Sequence, residues 1–250
     1  MRDKEKKVLE IINVRKILSV SDICEELKVS ESTARRILIS LSDRKLIHRF
    51  HGGGQSLAIT EVQADIQRRM QENAKIKDSI AKRAAAEIKN GQTVILLGGT
   101  TVYMMCKYIV ELRITVITNS LIVFEALKNA KHLNLILLGG HYNKDEMEVQ
   151  GALTNAGLRL INADSLFMGA TGLNPRVGFL TDEIDAIDLY RLCIDATKQR
   201  YVLADGSKLQ GLGSAVIASY EHINTMITNN DFDREIAKEY SNKGVDVIFS

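Results

Sequence analysis

Val29-Ser30-Glu31-Ser32-Thr33-Ala34-Arg35-Arg36-Ile37-Leu38 is the stretch whose reading decides the N-terminal part of this 250-residue chain. Ser30 is an N-cap candidate, because a serine hydroxyl accepts from the free amides of a helix's first turn. Downstream the apolar residues Ala34, Ile37, Leu38 and Leu41 fall at i, i+3, i+4, i+7 and form one buried stripe. At about 100° per residue the opposite side carries Ser32 and Arg36, with Thr33, Ser40 and Arg35 flanking them. Hydroxyls and guanidinium forks on an exposed helix are suited to guanine edges and phosphates in a major groove.

The surrounding residues complete a small domain. A helix is predicted over 3–18, with Val8, Ile11, Ile12 and Leu18 facing inward, and a short second helix over 22–28. Two short helices joined by a tight turn, the second bearing Arg35 and Arg36, form a helix-turn-helix unit. After Leu41, short apolar and basic runs flank Gly52-Gly53-Gly54, the pattern of a β-hairpin wing. Arg49, His48 and His51 could meet backbone phosphate there, or be plain surface residues. Residues 1–60 hold 12 Lys/Arg against 8 Asp/Glu, and the rest 21 against 23. A basic head on a near-neutral body suits DNA, although the excess is modest. Residues 61–90 read as a continuous helix that joins this head to the larger C-terminal part.

From residue 93 onward strand-like runs alternate with helical ones. The strands are expected at 93–97, 114–118, 133–138, 165–168, 201–204, 225–228 and 245–249. Most are continuously apolar, as strands buried on both faces of a parallel sheet are. Their carboxyl ends share one chemistry: Gly98-Gly99-Thr100-Thr101, Asn119-Ser120, Gly139-Gly140, Gly169-Ala170-Thr171-Gly172 and Asp205-Gly206-Ser207-Lys208. Ligands bind parallel sheets at that edge. Glycines let amides approach an anion, helix starts add partial positive charge, and Lys208 adds a full one. Asp205 and Asn119 suit sugar hydroxyls. The combination predicts a pocket for a small phosphorylated polyol. No Walker loop or G-x-G-x-x-G accompanies it.

In order and spacing, Val29-Ser30-x-x-Thr33-x-Arg35-Arg36, Leu41, Arg49-x-His51-Gly52-Gly53-Gly54, Gly99-Thr100-Thr101, Thr118-Asn119-Ser120, Leu138-Gly139-Gly140, Gly151 and Asp205-Gly206-Ser207-Lys208 resemble the DeoR family of bacterial transcription regulators. The resemblance covers nearly the whole chain. It implies a winged helix-turn-helix head, an α/β sensor domain related to sugar-phosphate isomerases and deaminases, and operator binding controlled by a phosphorylated sugar. The chain departs from the family at Ile37, where aspartate is usual, at Ala34, where a larger aliphatic is usual, at Leu97-Gly98, where aspartate and serine are common, and at Gly206, where a bulkier residue is usual.

The expected division is 1–58 for DNA, 59–74 as a helical link and 75–250 for the effector. The DNA-binding candidates are Ser30, Ser32, Thr33, Arg35, Arg36, Arg49 and His51. The effector candidates are Gly98, Gly99, Thr100, Thr101, Asn119, Ser120, Gly139, Gly140, Gly151, Asp205 and Lys208. The expected partners are a double-stranded operator, a phosphorylated sugar and further copies of the chain, as a homodimer or homotetramer, since one helix-turn-helix reads only a half-site. Cys24, Cys106 and Cys193 are too scattered for a zinc site or a disulfide framework and read as buried free thiols. No cofactor, metal or membrane span is expected, and the expected location is cytoplasmic. The alternative is a sugar-phosphate isomerase or deaminase carrying a DNA-binding head. It needs a positioned acid/base pair, and the sequence places only Asp205 firmly at the rim.

Overall fold

In the computed structural model, which describes residues 3–57, 61–211 and 213–250, the chain divides into two units, Met1–Gln71 and Glu72–Ser250. The expected boundary near residues 58–59 lies outside the described residues.

The first unit begins with α1 (Asp3–Arg15). Its helix stops three residues before the expected end, because Lys16 turns left-handed (φ 71°) and the chain becomes β1 (Ile17–Ser19). Ser19 then caps α2 (Val20–Leu27) in a reciprocal box with Asp22, which starts that helix two residues early. Lys28, also left-handed, ends it. α3 (Glu31–Asp43) has Ser30 as its N-cap, the hydroxyl accepting from the Thr33 amide at 3.4 Å. The wing is β2 (Ile47–Phe50) and β3 (Gly53–Ser56), with β1 added on the far side of β3. Ala34, Ile37, Leu38 and Leu41 of α3 pack with Val8, Ile12, Leu18, Ile23 and Ile47 in one core. Cys24 is only half-buried, whereas Cys106 and Cys193 are buried, and all three are free thiols. α4 (Glu61–Gln71) closes the unit.

The single helix expected over 61–90 is two. Asn73 adopts a left-handed φ of 55° and α5 (Ala74–Ala85) starts after it. There follow β4 (Thr93–Leu96), α6 (Thr100–Ile109), β5 (Thr115–Thr118), α7 (Leu121–Leu127), β6 (Asn134–Leu137), the hairpin β7 (His141–Asn143) and β8 (Glu148–Gln150), and α8 (Ala152–Leu158). Then come β9 (Ala163–Gly169), β10 (Gly172–Asn174), β11 (Gly178–Thr181), α9 (Ile187–Asp195), β12 (Thr197–Leu203), β13 (Ala215–Ala218), β14 (Thr225–Thr228), α10 (Arg234–Asn242) and β15 (Asp246–Phe249). Among the described residues, seven parallel strands form one sheet in the order β15-β14-β12-β9-β4-β5-β6. The small β10-β11-β13 sheet is antiparallel.

Alternation along the strands builds two cores. Val94 and Leu96 face one side with α5, α6 and α7. Ile95 and Leu97 face the other, with α8, α9 and the small sheet. β6 corrects one expectation: its apolar run is an edge strand, with Ile136 41% and Leu137 38% exposed. An apolar run alone does not separate a central strand from an edge. No helix among the described residues is long and apolar enough to cross a membrane.

Candidate functional site

Two sets of residues carry the expected chemistry, one in each unit. In the first unit the inward stripe of α3 is buried and leaves Ser32, Arg35 and Arg36 exposed and Thr33 half-exposed. Arg36 lines a groove with Thr33, Ser40 and Arg44 of α3's side and Asp3, Lys4 and Glu5 of α1. Glu5 is engaged there, accepting from Ser40 Oγ at 2.9 Å and pairing with Arg44 at 3.6 Å. Arg35 pairs with Glu31 one turn earlier at 3.2 Å. Both partners of that pair are exposed, so it is weak and releases the guanidinium readily. Ser32 and Thr33 hydroxyls each lie 3.0 Å from the Ser30 hydroxyl, a small hydrogen-bonded cluster at the helix start.

On the wing, His48, Arg49 and His51 are exposed. The glycines there have separate reasons. Gly52 takes the turn with φ 94°, while Gly54 is buried where a Cβ would lie 2.7 Å from Leu38 Cδ2. The triplet therefore seats the hairpin against α3 and leaves its basic side chains outside.

In the second unit, the sheet order explains why the strand-end residues converge. The chain leaves β4 towards β5 and β6, then returns on β4's other flank as β9. The reversal lies between β4 and β9, the place where parallel sheets open a crevice at their carboxyl ends. Moving across that edge one meets Gly139 after β6, Asn119 after β5, Gly98 after β4, Gly169 at the end of β9 and Asp205 after β12. At roughly 4.8 Å per strand, Asn119 to Asp205 spans about 14 Å and Gly139 to Asp205 about 19 Å. The middle strand ends suit one small ligand; Gly139, Gly140 and Gly151 lie on the flank. There a Cβ on Gly140 would overlap Thr154 Oγ1, Thr154 donates to Gly139 O at 2.8 Å, and Gly151, φ 95°, precedes α8.

The middle of the edge holds buried polar groups. Thr101, Asn119, Ser120 and Asp205 are 8%, 1%, 0% and 2% exposed. Asp205 Oδ1 caps the following 3-10 turn through the Ser207 amide at 2.9 Å, and also accepts from Asn73 Nδ2 at 3.4 Å. Asp205 Oδ2, Asn119 Oδ1 and Ser120 Oγ are buried with no hydrogen-bond partner among the described residues. Buried polar atoms are rarely left so, and each such atom marks a place where a partner is wanted. Gly99, φ 114°, starts α6 without a side-chain cap, leaving that helix's first amides to other acceptors. Lys208 is half-exposed on the 3-10 turn.

Two residues at this edge, and a third on the helix that follows Asn73, were not anticipated. Glu148 reaches it from β8, where Asn119 Nδ2 donates to Glu148 Oε2 at 2.9 Å. Asn73 reaches Asp205 from the residue preceding α5. Lys77, one turn later, is a 5% exposed lysine in line with the buried Ala81 and Ala84. A lysine at an inward position of an alanine stripe was the sequence signal available for it; Glu148 offered none. Desolvation, with the Glu148 and Glu183 carboxylates adding to it, holds the Tyr190 phenol on α9 well above its ordinary range. Tyr190 is thus a protonated donor. Among the described residues no group of three or more His, Cys, Asp or Glu side chains could hold a metal ion.

Comparison with known proteins identifies both units. Residues 4–60 match the DeoR-like helix-turn-helix domain and residues 72–230 the DeoR C-terminal sensor domain. The transcriptional regulator GolR of Listeria innocua is 29% identical over 246 residues, covering 98% of this chain and 97% of that protein. The lactose phosphotransferase system repressor of Staphylococcus epidermidis is 28% identical and 98% of each chain is covered. The repressor GlcR of Bacillus subtilis is 27% identical, covering 96% and 93%. These relatives are named as regulators and repressors, in agreement with a chain that is not an enzyme. Ribose 5-phosphate isomerase A of Methanocaldococcus jannaschii overlaps 54% of each chain at 17% identity and a TM-score of 0.41, too little to bear on fold or chemistry. A sensor-domain match over more than half of its length, beside a matching helix-turn-helix head, makes this chain a member of the DeoR family of transcriptional regulators.

Proposed function

We propose that this regulator is a repressor of carbohydrate-metabolism genes whose operator binding is controlled by a phosphorylated sugar or sugar alcohol. The observation that carries the effector half is the set of buried, unpartnered polar atoms on Asn119, Ser120 and Asp205 along one strand-end edge. Polar atoms that a folded chain leaves unsatisfied cost free energy, which a hydroxyl-bearing ligand would recover. The effector contacts are assigned to Gly98, Gly99, Thr100, Thr101, Asn119, Ser120, Asp205 and Lys208, with Gly139, Gly140 and Gly151 shaping the flank. Lys208 and the first amides of α6 are the groups suited to phosphate. The sugar assignment is supported by relatives named as lactose phosphotransferase system repressors.

For the operator half, Ser30, Ser32, Thr33, Arg35 and Arg36 are assigned to the major groove, and Arg49 and His51 to the backbone. A single recognition helix reads one half-site, so the acting species is a homodimer or homotetramer. In this reading residues 1–58 bind DNA, 59–74 link and 75–250 sense. The test is a thermal-shift screen of the purified chain with phosphorylated sugars, their unphosphorylated counterparts and inorganic phosphate. A bound molecule raises the melting temperature by mass action. The proposal expects a shift with at least one sugar phosphate and none with its unphosphorylated form; a screen with no sugar-phosphate response contradicts it.

A further inference from the structure

Gly98 has no conformational need to be glycine, because its φ lies outside the left-handed region. Its neighbour Gly99 takes that role, at φ 114°. What Gly98 does need is space: a Cβ there would overlap Glu148 Oε1. The carboxylate therefore lies against the Gly98 α-carbon, at the end of the strand beside the β4/β9 reversal.

Glu148 is held there from several directions. Its Oε2 accepts from Asn119 Nδ2 at 2.9 Å. Its strand is stitched to the end of β5 by Val149 N donating to Asn119 O at 2.8 Å and Leu121 N donating to Met147 O at 2.9 Å, with Ser120 and Glu148 bridged antiparallel. Its charge reaches Tyr190 and Cys193, whose acidic protons it helps to retain. The carboxylate is thus a fixed part of the corner.

The unsatisfied atoms nearby point the same way. Asn119 Oδ1 is an acceptor, and Ser120 Oγ can serve as one. A corner rich in acceptors calls for a donor. A phosphate dianion offers only acceptors and would meet the Glu148 charge.

We propose that Glu148 is a specificity-determining residue of the effector site: held by Asn119 against Gly98, it accepts from a hydroxyl or ammonium group of the ligand and keeps the phosphate out of that corner. This rests on the effector reading above and adds the ligand's orientation. The donor-bearing end lies at the Asn119–Glu148 corner, and the phosphate lies towards Lys208, on the turn after β12. Specificity then comes from a repulsive element as well as an attractive one.

The experiment titrates the full chain and its E148Q, G98A, E148A and G98A/E148A variants. The probes are glucose 6-phosphate, glucosamine 6-phosphate, ribose 5-phosphate, glycerol 3-phosphate and inorganic phosphate. E148Q keeps the shape, and its unliganded melting temperature reports that the fold is intact. For the sugar phosphate bound best by the unmodified chain, E148Q should bind at least tenfold more weakly, while the response to inorganic phosphate is strengthened, because the repelling charge is gone. G98A should reproduce the loss, because its methyl group takes the space the Glu148 carboxylate occupies. The G98A/E148A pair should then be no worse than E148A, a non-additivity expected of two changes acting on one contact. Equal or tighter binding of that sugar phosphate by E148Q overturns the inference and leaves the effector reading standing. Absence of any sugar-phosphate binding by the unmodified chain removes both.

Discussion

The head carries its chemistry outside, and the sensor unit keeps its own inside. Arg35, Arg36, Arg49 and His51 are exposed on elements whose inner faces share one small core. Asn119, Ser120 and Asp205 are at most 2% exposed, on strand ends supplied by different parts of the chain. An exposed reading face needs only a rigid helix behind it and can lose one side chain without unfolding. A buried polar site needs each group satisfied, either by the chain or by a ligand. The difference suits one unit to recognising a large surface and the other to recognising a molecule it can enclose.

Three substitutions can break or sharpen this contrast. Lys208→Ala should have the largest effect, about 1.5–3 kcal/mol of effector binding, because it removes a charged donor to the phosphate. Calorimetric titration with the responding sugar phosphate should show the loss, with unliganded operator binding unchanged. Arg36→Ala should cost about 1–3 kcal/mol of affinity for the specific operator. Gel-shift titration checks it, and the effector-induced melting shift should be untouched. Ser30→Ala removes the α3 cap and should cost about 1 kcal/mol of head stability. The result should be a lower denaturation midpoint for the head. If Arg36→Ala abolished the effector-induced shift, or Lys208→Ala weakened the unliganded operator complex as much as Arg36→Ala does, the division of labour would fail.

The same contrast governs what the sequence could tell. The stripe Ala34, Ile37, Leu38, Leu41 repeats within one helix, so its buried and exposed sides followed from periodicity alone. The parallel strands were legible because most are short apolar runs ending in glycine, asparagine or aspartate. Ends were harder: α1 stops at Arg15 because Ile17 and Leu18 pair with Gln55 and Gly54 of the distant wing. The break at Asn73 depends on one left-handed residue within a polar stretch. The edge position of β6 depends on sheet order. Gly98 stood out as a departure from the family pattern, but its reason, the Glu148 carboxylate from another strand, is a long-range contact that no local pattern encodes.

The central claim is that one chain couples a buried effector site to an exposed DNA-reading face. Thermodynamic linkage makes such coupling reciprocal. The most direct test is to titrate operator DNA with the full chain at zero and at saturating concentrations of the responding sugar phosphate, and then to titrate the sugar phosphate with and without operator. The account predicts that the effector changes the operator Kd by at least fivefold, about 1 kcal/mol, and that the operator changes the effector Kd by the same factor. Operator affinity that stays the same when the effector site is full would contradict it.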